Sequence, residues 1–218
     1  MSHQPQNIPL GILPIGSGNA FAETLGELDP IKMLSNILTG ETSLIDVFKI
    51  DDREKTFFAI NIIGWGMAAE VNILAEKLRW MGGIRYSVAS LITVMRMKEK
   101  YLKANLDDSS IEDQALFFLA LNNVHTGKGM QMAPNAILDD GLIDIILVRS
   151  ASKPRVLKIF TQLFSGTHIE DPHVEYSQIT SFDIETLNDP LNIDGENKGR
   201  TPIKVELINK GVRIFGKI

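Results

Sequence analysis

A chain of 218 residues, 44% of them hydrophobic and 22% charged, has a globular composition and enough length for one large domain or one and a half small ones. Its net charge of −5 gives no general pull toward nucleic acid, so no nucleic-acid partner is expected. It has no cysteine, which excludes disulfides and thiolate metal sites.

No apolar run reaches the ~18 residues of a membrane span. Met1 to Asn7 lacks the basic start and apolar core of a signal peptide. The expectation is a soluble intracellular protein. The four histidines, His3, His125, His168 and His173, lack the helical spacing of a zinc site. His168 and His173 flank a proline-containing turn and read as surface residues.

In chain order, Ile8 to Leu13 reads as a strand. Ala20 to Leu25 and Pro30 to Leu38 read as helices, the second with proline in its first turn and Gly40 past its end. Leu44 to Ile50 and Thr56 to Ile63 read as paired strands around Asp51-Asp52-Arg53. Met67 to Met81 has helical periodicity and stops at Gly82-Gly83. Tyr86 to Lys100 is a second such segment. Strand signals then dominate: Tyr101 to Leu106, Ala115 to Asn122, Leu142 to Val148, Ser181 to Thr186, Ile203 to Ile208 and Val212 to Ile218. One helix, Pro154 to Phe164, interrupts them. Asp140-Gly141 and Asn209-Lys210-Gly211 read as turns between strands. The expected fold is α+β, an antiparallel sandwich with attached helices. A strand at Ile8 to Leu13 would be an orphan, because nothing near it in sequence can pair with it.

Several constellations can carry chemistry. Gly16-Ser17-Gly18-Asn19 follows an apolar run and precedes a helix, the arrangement in which backbone N–H groups cradle a phosphate. It is equally a tight connection with Asn19 as helix cap. Asp194-Gly195-Glu196 places two carboxylates on one turn, able to hold Mg²⁺ or stand beside a triphosphate; as Asp-Gly it is also an ordinary hairpin tip. Asp140-Gly141 lacks the second acid and reads as structural. Asn72, Glu76 and Arg79 share a helix face, and with Arg85 could meet phosphate oxygens; an internal Glu76–Arg79 ion pair is the plainer reading. Arg96, Lys98, Lys100 and Lys103 beside Leu91, Ile92, Val94 and Met95 suggest either an anionic membrane surface or an exposed basic face. Met130 and Met132 could line a greasy site or simply fill core.

Together and in this order, these segments resemble the diacylglycerol kinase and sphingosine kinase superfamily of lipid kinases. The resemblance runs from residue 8 to 218. It rests on residues 9–22, Thr39-Gly40 with Leu44-Ile45-Asp46-Val47, Gly64-Trp65-Gly66-Met67-Ala68-Ala69-Glu70-Val71, Ala133-Pro134-Asn135-Ala136, Leu138 to Asp144, Gly166-Thr167-His168 and Asp194-Gly195-Glu196. It implies ATP as co-substrate, with Gly16, Ser17, Gly18, Arg79, Arg85, Asp194, Gly195 and Glu196 at the nucleotide. It also implies Mg²⁺ at Asp194 and Glu196, and supporting catalytic roles for that pair. Asn72 falls where sphingosine kinases place an aspartate for the lipid head group, so the substrate-binding residue here is a neutral amide. The resemblance further implies residues 1–40 as a remnant of the nucleotide-binding domain and 41–218 as the β-rich lipid-binding domain. The family's Gly-Gly-Asp-Gly-Thr loop, source of the general base, does not occur in this sequence. The expectation is therefore the C-terminal portion of a lipid kinase, inactive alone, whose partners are the lipid, a transient membrane surface and the missing N-terminal kinase domain. Its expected location is the cytoplasm, peripheral to membranes. The alternative is a non-catalytic, truncated paralogue that binds lipid or another kinase chain.

Overall fold

The computed structural model describes residues 8–16, 18–127 and 129–218. Five helices are α1 (Ala20–Thr24), α2 (Pro30–Thr39), α3 (Met67–Lys77), α4 (Arg85–Arg96) and α5 (Lys153–Gln162). Twelve strands are β1 (Thr42–Asp52), β2 (Thr56–Ala59), β3 (Ile62–Gly66), β4 (Lys100–Leu106), β5 (Ser109–Ala115), β6 (Phe117–Leu121), β7 (Ile143–Val148), β8 (Glu175–Ile179), β9 (Ser181–Ile184), β10 (Pro190–Ile193), β11 (Glu196–Arg200) and β12 (Ile203–Phe215). They form two six-stranded antiparallel sheets, ordered β2-β1-β12-β9-β4-β5 and β11-β10-β3-β6-β7-β8.

Alternation along the strands sends one set of side chains between the sheets. Phe48, Ile50, Leu102, Phe182 and Val205 of the first sheet meet Ile63, Trp65, Phe118, Ile145 and Ile193 of the second. Phe118 and Phe182 touch across the gap with ring centroids 5.2 Å apart. The other face of the second sheet is also apolar, with Ile62, Leu119, Leu121, Ile146 and Val148 packed against Val94 of α4 and Val156 and Ile159 of α5. β7 is therefore buried on both faces, which explains its unbroken apolar run apart from Asp144. Gly66 starts α3 with φ 72°, and a Cβ there would lie 2.6 Å from the Leu116 carbonyl oxygen. That carbonyl accepts the Met67 N–H at 2.9 Å, closing the strand onto the helix.

Five expectations need correction. Ile8 to Leu13 is not a strand. It makes a single parallel bridge, Leu10 to Ile214, because Pro9 and Pro14 supply no N–H on either side. Ile203 to Phe215 is one strand rather than two, and Asn209-Lys210-Gly211 is a bulge in it. The bulge forms around the buried Asp46 carboxylate, which accepts the Lys210 N–H at 2.6 Å and the Gly141 N–H at 2.7 Å. Burial pushes the Asp46 carboxyl above its usual range, against those two amide bonds. Thr56 to Ile63 breaks into β2 and β3 at Ile60 and Asn61, for a reason given below. The Met67 to Met81 helix ends at Lys77 and passes into a 3₁₀ turn, Arg79–Ile84, before α4. The fifth concerns His168, which is fully buried rather than on the surface; His173 is the exposed one of the pair.

Candidate functional site

The turn at Asp194-Gly195 joins β10 to β11, with Ile193 opposite Glu196. Both turn residues have positive φ, 50° and 81°, the requirement of a two-residue hairpin loop and the reason for the Asp-Gly pair. The two carboxylates then part company. Asp194 turns inward: its Oδ1 accepts the N–H groups of Asn61 and Ile62 and its Oδ2 that of Ile60, all at 3.0 Å. This is what interrupts the expected Thr56 to Ile63 strand. Burial pushes the Asp194 carboxyl upward, and the three amide bonds pull it back. Glu196 turns outward with 71% of its side chain exposed and pairs with Lys198 at 3.0 Å.

Asn72 lies on α3 and is 2% exposed. Its amide donates to the Gly195 carbonyl and to Asn197 Oδ1, each at 2.9 Å, and Tyr86 Oη–H reaches its Oδ1 at 3.4 Å. Arg85 stacks on the Tyr86 ring, 5.0 Å from its centroid. Glu76, one turn beyond Asn72, takes Arg79 at 3.1 Å and lies 3.8 Å from Arg85. The structure thus gathers Asn72, Arg79, Arg85, Asp194, Gly195 and Glu196 into one connected patch. Arg79 stands out with 71% of its side chain exposed, while that of Arg85 is largely covered.

The glycine loop approaches from the other side. Asn19 does not cap α1 through its side chain; its Oδ1 accepts the Gly16 N–H at 2.8 Å and its amide donates to the Pro14 carbonyl. One N–H expected to face a phosphate is therefore already used. Among the described residues a side chain at Gly18 would meet nothing within 4 Å, while the other side of its backbone faces Gly127. Ser17 lies outside the described residues. α1 has five residues, too few for much helix dipole. Phe21 of α1 belongs to an apolar cluster with Ile45, Leu138 and Ile214 against which Ile60 packs, and the Ile60 N–H binds Asp194, so this cluster lies between the glycine-loop helix and the acidic turn.

Between the second sheet and helices α3, α4 and α5 lies a cavity of about 450 Å³. Ile62, Val71, Phe117, Leu119, Ile146 and Phe160 line it, with Met130 and Met132 among them. Both methionines line this cavity, and Met132 also packs against the apolar core beneath it. Asn72 forms part of its wall, so the same residue touches the cavity and the acidic turn. Trp80 stands 81% exposed on the 3₁₀ turn beyond α3. The basic run dissolves: Lys100 pairs with Glu70 at 2.8 Å and Lys103 with Glu185 at 2.7 Å on the sheet, leaving Arg96 and Lys98 at the end of α4.

Among the described residues no three His, Asp or Glu side chains are grouped to hold a metal. With Asp194 committed to three amides, the pair Asp194 and Glu196 does not fit as a Mg²⁺ site, and no step is routed through one. No helix among the described residues is long and apolar enough to cross a membrane.

Residues 61–216 match the family described as the YegS C-terminal NAD kinase beta sandwich-like domain. The chain belongs to this family. Residues 1–50 match the diacylglycerol kinase catalytic domain, which places the chain in the diacylglycerol and sphingosine kinase superfamily. Sphingosine kinase 1 of Arabidopsis thaliana is 25% identical over 266 residues, spanning 97% of this chain and 54% of that protein. A diacylglycerol kinase of Staphylococcus epidermidis is 29% identical over 220 residues, spanning 99% of this chain and 68% of that protein. A solved diacylglycerol kinase structure from Bacillus anthracis shares the fold, with a TM-score of 0.71 at 24% identity over 93% of this chain and 66% of that one. The chain therefore spans about half to two thirds of these relatives.

Proposed function

We propose that this chain is the lipid-holding part of an ATP-dependent lipid kinase, which transfers a phosphoryl group to a primary hydroxyl of a neutral lipid. The observation that supports this best is the double attachment of Asn72. Its side chain is one wall of an apolar cavity and at the same time the buried anchor of the Asp194-Gly195-Glu196 turn. A lipid tail in the cavity would bring its head group past Asn72 to the patch where Arg79 and Glu196 are exposed. In such an enzyme the exposed Arg79 guanidinium stabilises charge on phosphate oxygens, and Glu196 acts on the approaching hydroxyl or nucleotide only through its outward carboxylate. Asp194 works indirectly, by holding the turn. ATP would meet the glycine loop at Gly18, on the side where a Cβ would find open space.

A membrane partner is part of this reading. Residues 67–98 and 153–164 together carry eight Lys and Arg against two Glu, in a chain whose net charge is −5. This basic helical layer covers the cavity, and it carries the exposed Trp80, Leu91, Met95 and Phe164, side chains suited to a bilayer interface.

The base loop Gly-Gly-Asp-Gly-Thr does not occur in the sequence. The purified chain is therefore expected to bind lipid without turning it over. The test measures phosphate transfer from ATP to diacylglycerol, ceramide and sphingosine, beside binding of the same lipids. Binding without transfer supports the reading. Robust transfer requires a different base, and no binding of any lipid removes the cavity from the function.

A further inference from the structure

Three buried polar side-chain atoms in the cavity wall have no hydrogen-bonding partner among the described residues. His168 is 0% exposed. Its Nε2 lies 2.9 Å from the Met132 carbonyl oxygen, and a carbonyl can only accept, so Nε2 carries the ring proton. Burial lowers the His168 pKa and keeps the ring neutral. In the neutral ring Nδ1 is then a bare acceptor, and it is buried with no partner. Thr126 Oγ1 and Asn192 Oδ1 are buried without partners as well. All three residues line the same cavity. Thr126 and His168 are held by one loop: the Thr126 N–H donates to the Met130 carbonyl, and His168 binds Met132 two residues on.

A cavity meant only for hydrocarbon would not keep an unpaired imidazole nitrogen in its wall. Phenylalanine or leucine fills the same space without an unpaired acceptor. A saturated or simply unsaturated chain leaves all three groups unpaired. A hydroxyl on the chain supplies a donor for His168 Nδ1 and an acceptor for the Thr126 hydroxyl.

We propose that His168, supported by Thr126 and Asn192, makes this cavity selective for lipids whose hydrocarbon chain carries a hydroxyl group. The inference rests on the lipid-cavity reading above and names the lipid chemistry it prefers.

The test uses a matched pair, 1,2-dioleoylglycerol and 1,2-diricinoleoylglycerol, which differ only by one hydroxyl on each chain. Each displaces a fluorescent apolar dye from the intact chain. The wild type is expected to bind the hydroxylated lipid about five- to thirtyfold more tightly, the range of one buried hydrogen bond plus relief of an unpaired acceptor. His168→Phe is expected to bring that ratio close to one without weakening the dioleoyl lipid. Thr126→Val, a smaller change, is expected to lower the ratio partway. Equal affinity of the wild type for the two lipids overturns the inference while leaving the lipid cavity standing, and needs no variant to fold. Failure of both lipids to displace dye overturns the cavity reading itself. A preserved ratio in a folded His168→Phe protein also overturns the assignment to His168.

Discussion

Asp194→Asn separates a structural carboxylate from a catalytic one. The substitution keeps shape and tolerates the φ of 50° at this position, since asparagine visits the left-handed region as readily as aspartate. The retained carbonyl oxygen can still accept from Asn61 and Ile62, but the amide nitrogen replaces the oxygen that accepts from Ile60, 3.0 Å away. One N–H is then left facing a donor, at about 1–3 kcal/mol. The two surviving bonds become neutral ones and weaken by about 1 kcal/mol each. Removing a charge from a buried position gives part of this back. A net loss of about 2–3 kcal/mol follows. With a urea slope of roughly 2 kcal/mol per molar, the unfolding midpoint falls by about 1 M. Trp65 reports the transition, because it is fully buried with its indole N–H on Asp189 at 3.0 Å, whereas Trp80 is already exposed. Glu196→Gln on the same turn is expected to change stability by less than about 0.5 kcal/mol. If Asp194→Asn leaves the midpoint where Glu196→Gln does, the three amide bonds do not hold the turn and Asp194 returns to the chemistry.

Three further outcomes are expected. Asn72→Asp sets a carboxylate oxygen against the Gly195 carbonyl and Asn197 Oδ1, both 2.9 Å from the present amide nitrogen; a loss of about 2–4 kcal/mol in urea unfolding is expected, and an unchanged midpoint would show that Asn72 does not anchor the turn. Asp144, whose carboxyl burial raises to about 6, is protonated more readily in the fold than in the unfolded chain, where its pKa is about 3.9. Its contribution to stability is thus fully present below pH ~4 and is lost as pH rises through ~6, by about 3 kcal/mol; Asp144→Asn should remove this slope from unfolding curves taken between pH 4 and 7. Trp80→Ala is expected to weaken binding to vesicles of anionic lipid several-fold in a sedimentation assay while changing stability by less than about 0.5 kcal/mol; equal sedimentation would take the 3₁₀ turn out of the membrane surface.

The sandwich was legible wherever a strand is buried, as at Leu142 to Val148 or Ala115 to Asn122. Three of the missed strands, β5, β8 and β11, lie at sheet edges. Their sequences, such as Glu196-Asn197-Lys198-Gly199-Arg200, are polar because an edge faces water and must discourage further pairing, so they carry no apolar alternation to read. The long β12 was misread because Asn209-Lys210-Gly211 has turn chemistry; what holds it straight is a carboxylate 164 residues earlier in the chain, invisible to local pattern. For the site, spacing correctly paired Glu76 with Arg79 as an ion pair. It could not tell which of the two acids of Asp194-Gly195-Glu196 points inward, since that depends on three N–H groups more than 130 residues away. His168 was missed for the opposite reason: a histidine near proline and aspartate reads as exposed, and only packing under α5 buries it.

The pairing of β1 with β12 has a kinetic side. The Ile45-Asp46-Val47-Phe48 stretch of β1 is wholly buried in the folded protein. Its long partner spans residues 203–215, so closing this ladder means joining segments at nearly the full length of the chain. Such non-local pairing folds on the slow side, in milliseconds to seconds. Until β12 joins it, β1 has β2 as its sole sheet neighbour among the described strands. Before that pairing the edge of β1 is an open apolar ladder that other chains can extend, so the slow step is also the aggregation-exposed one.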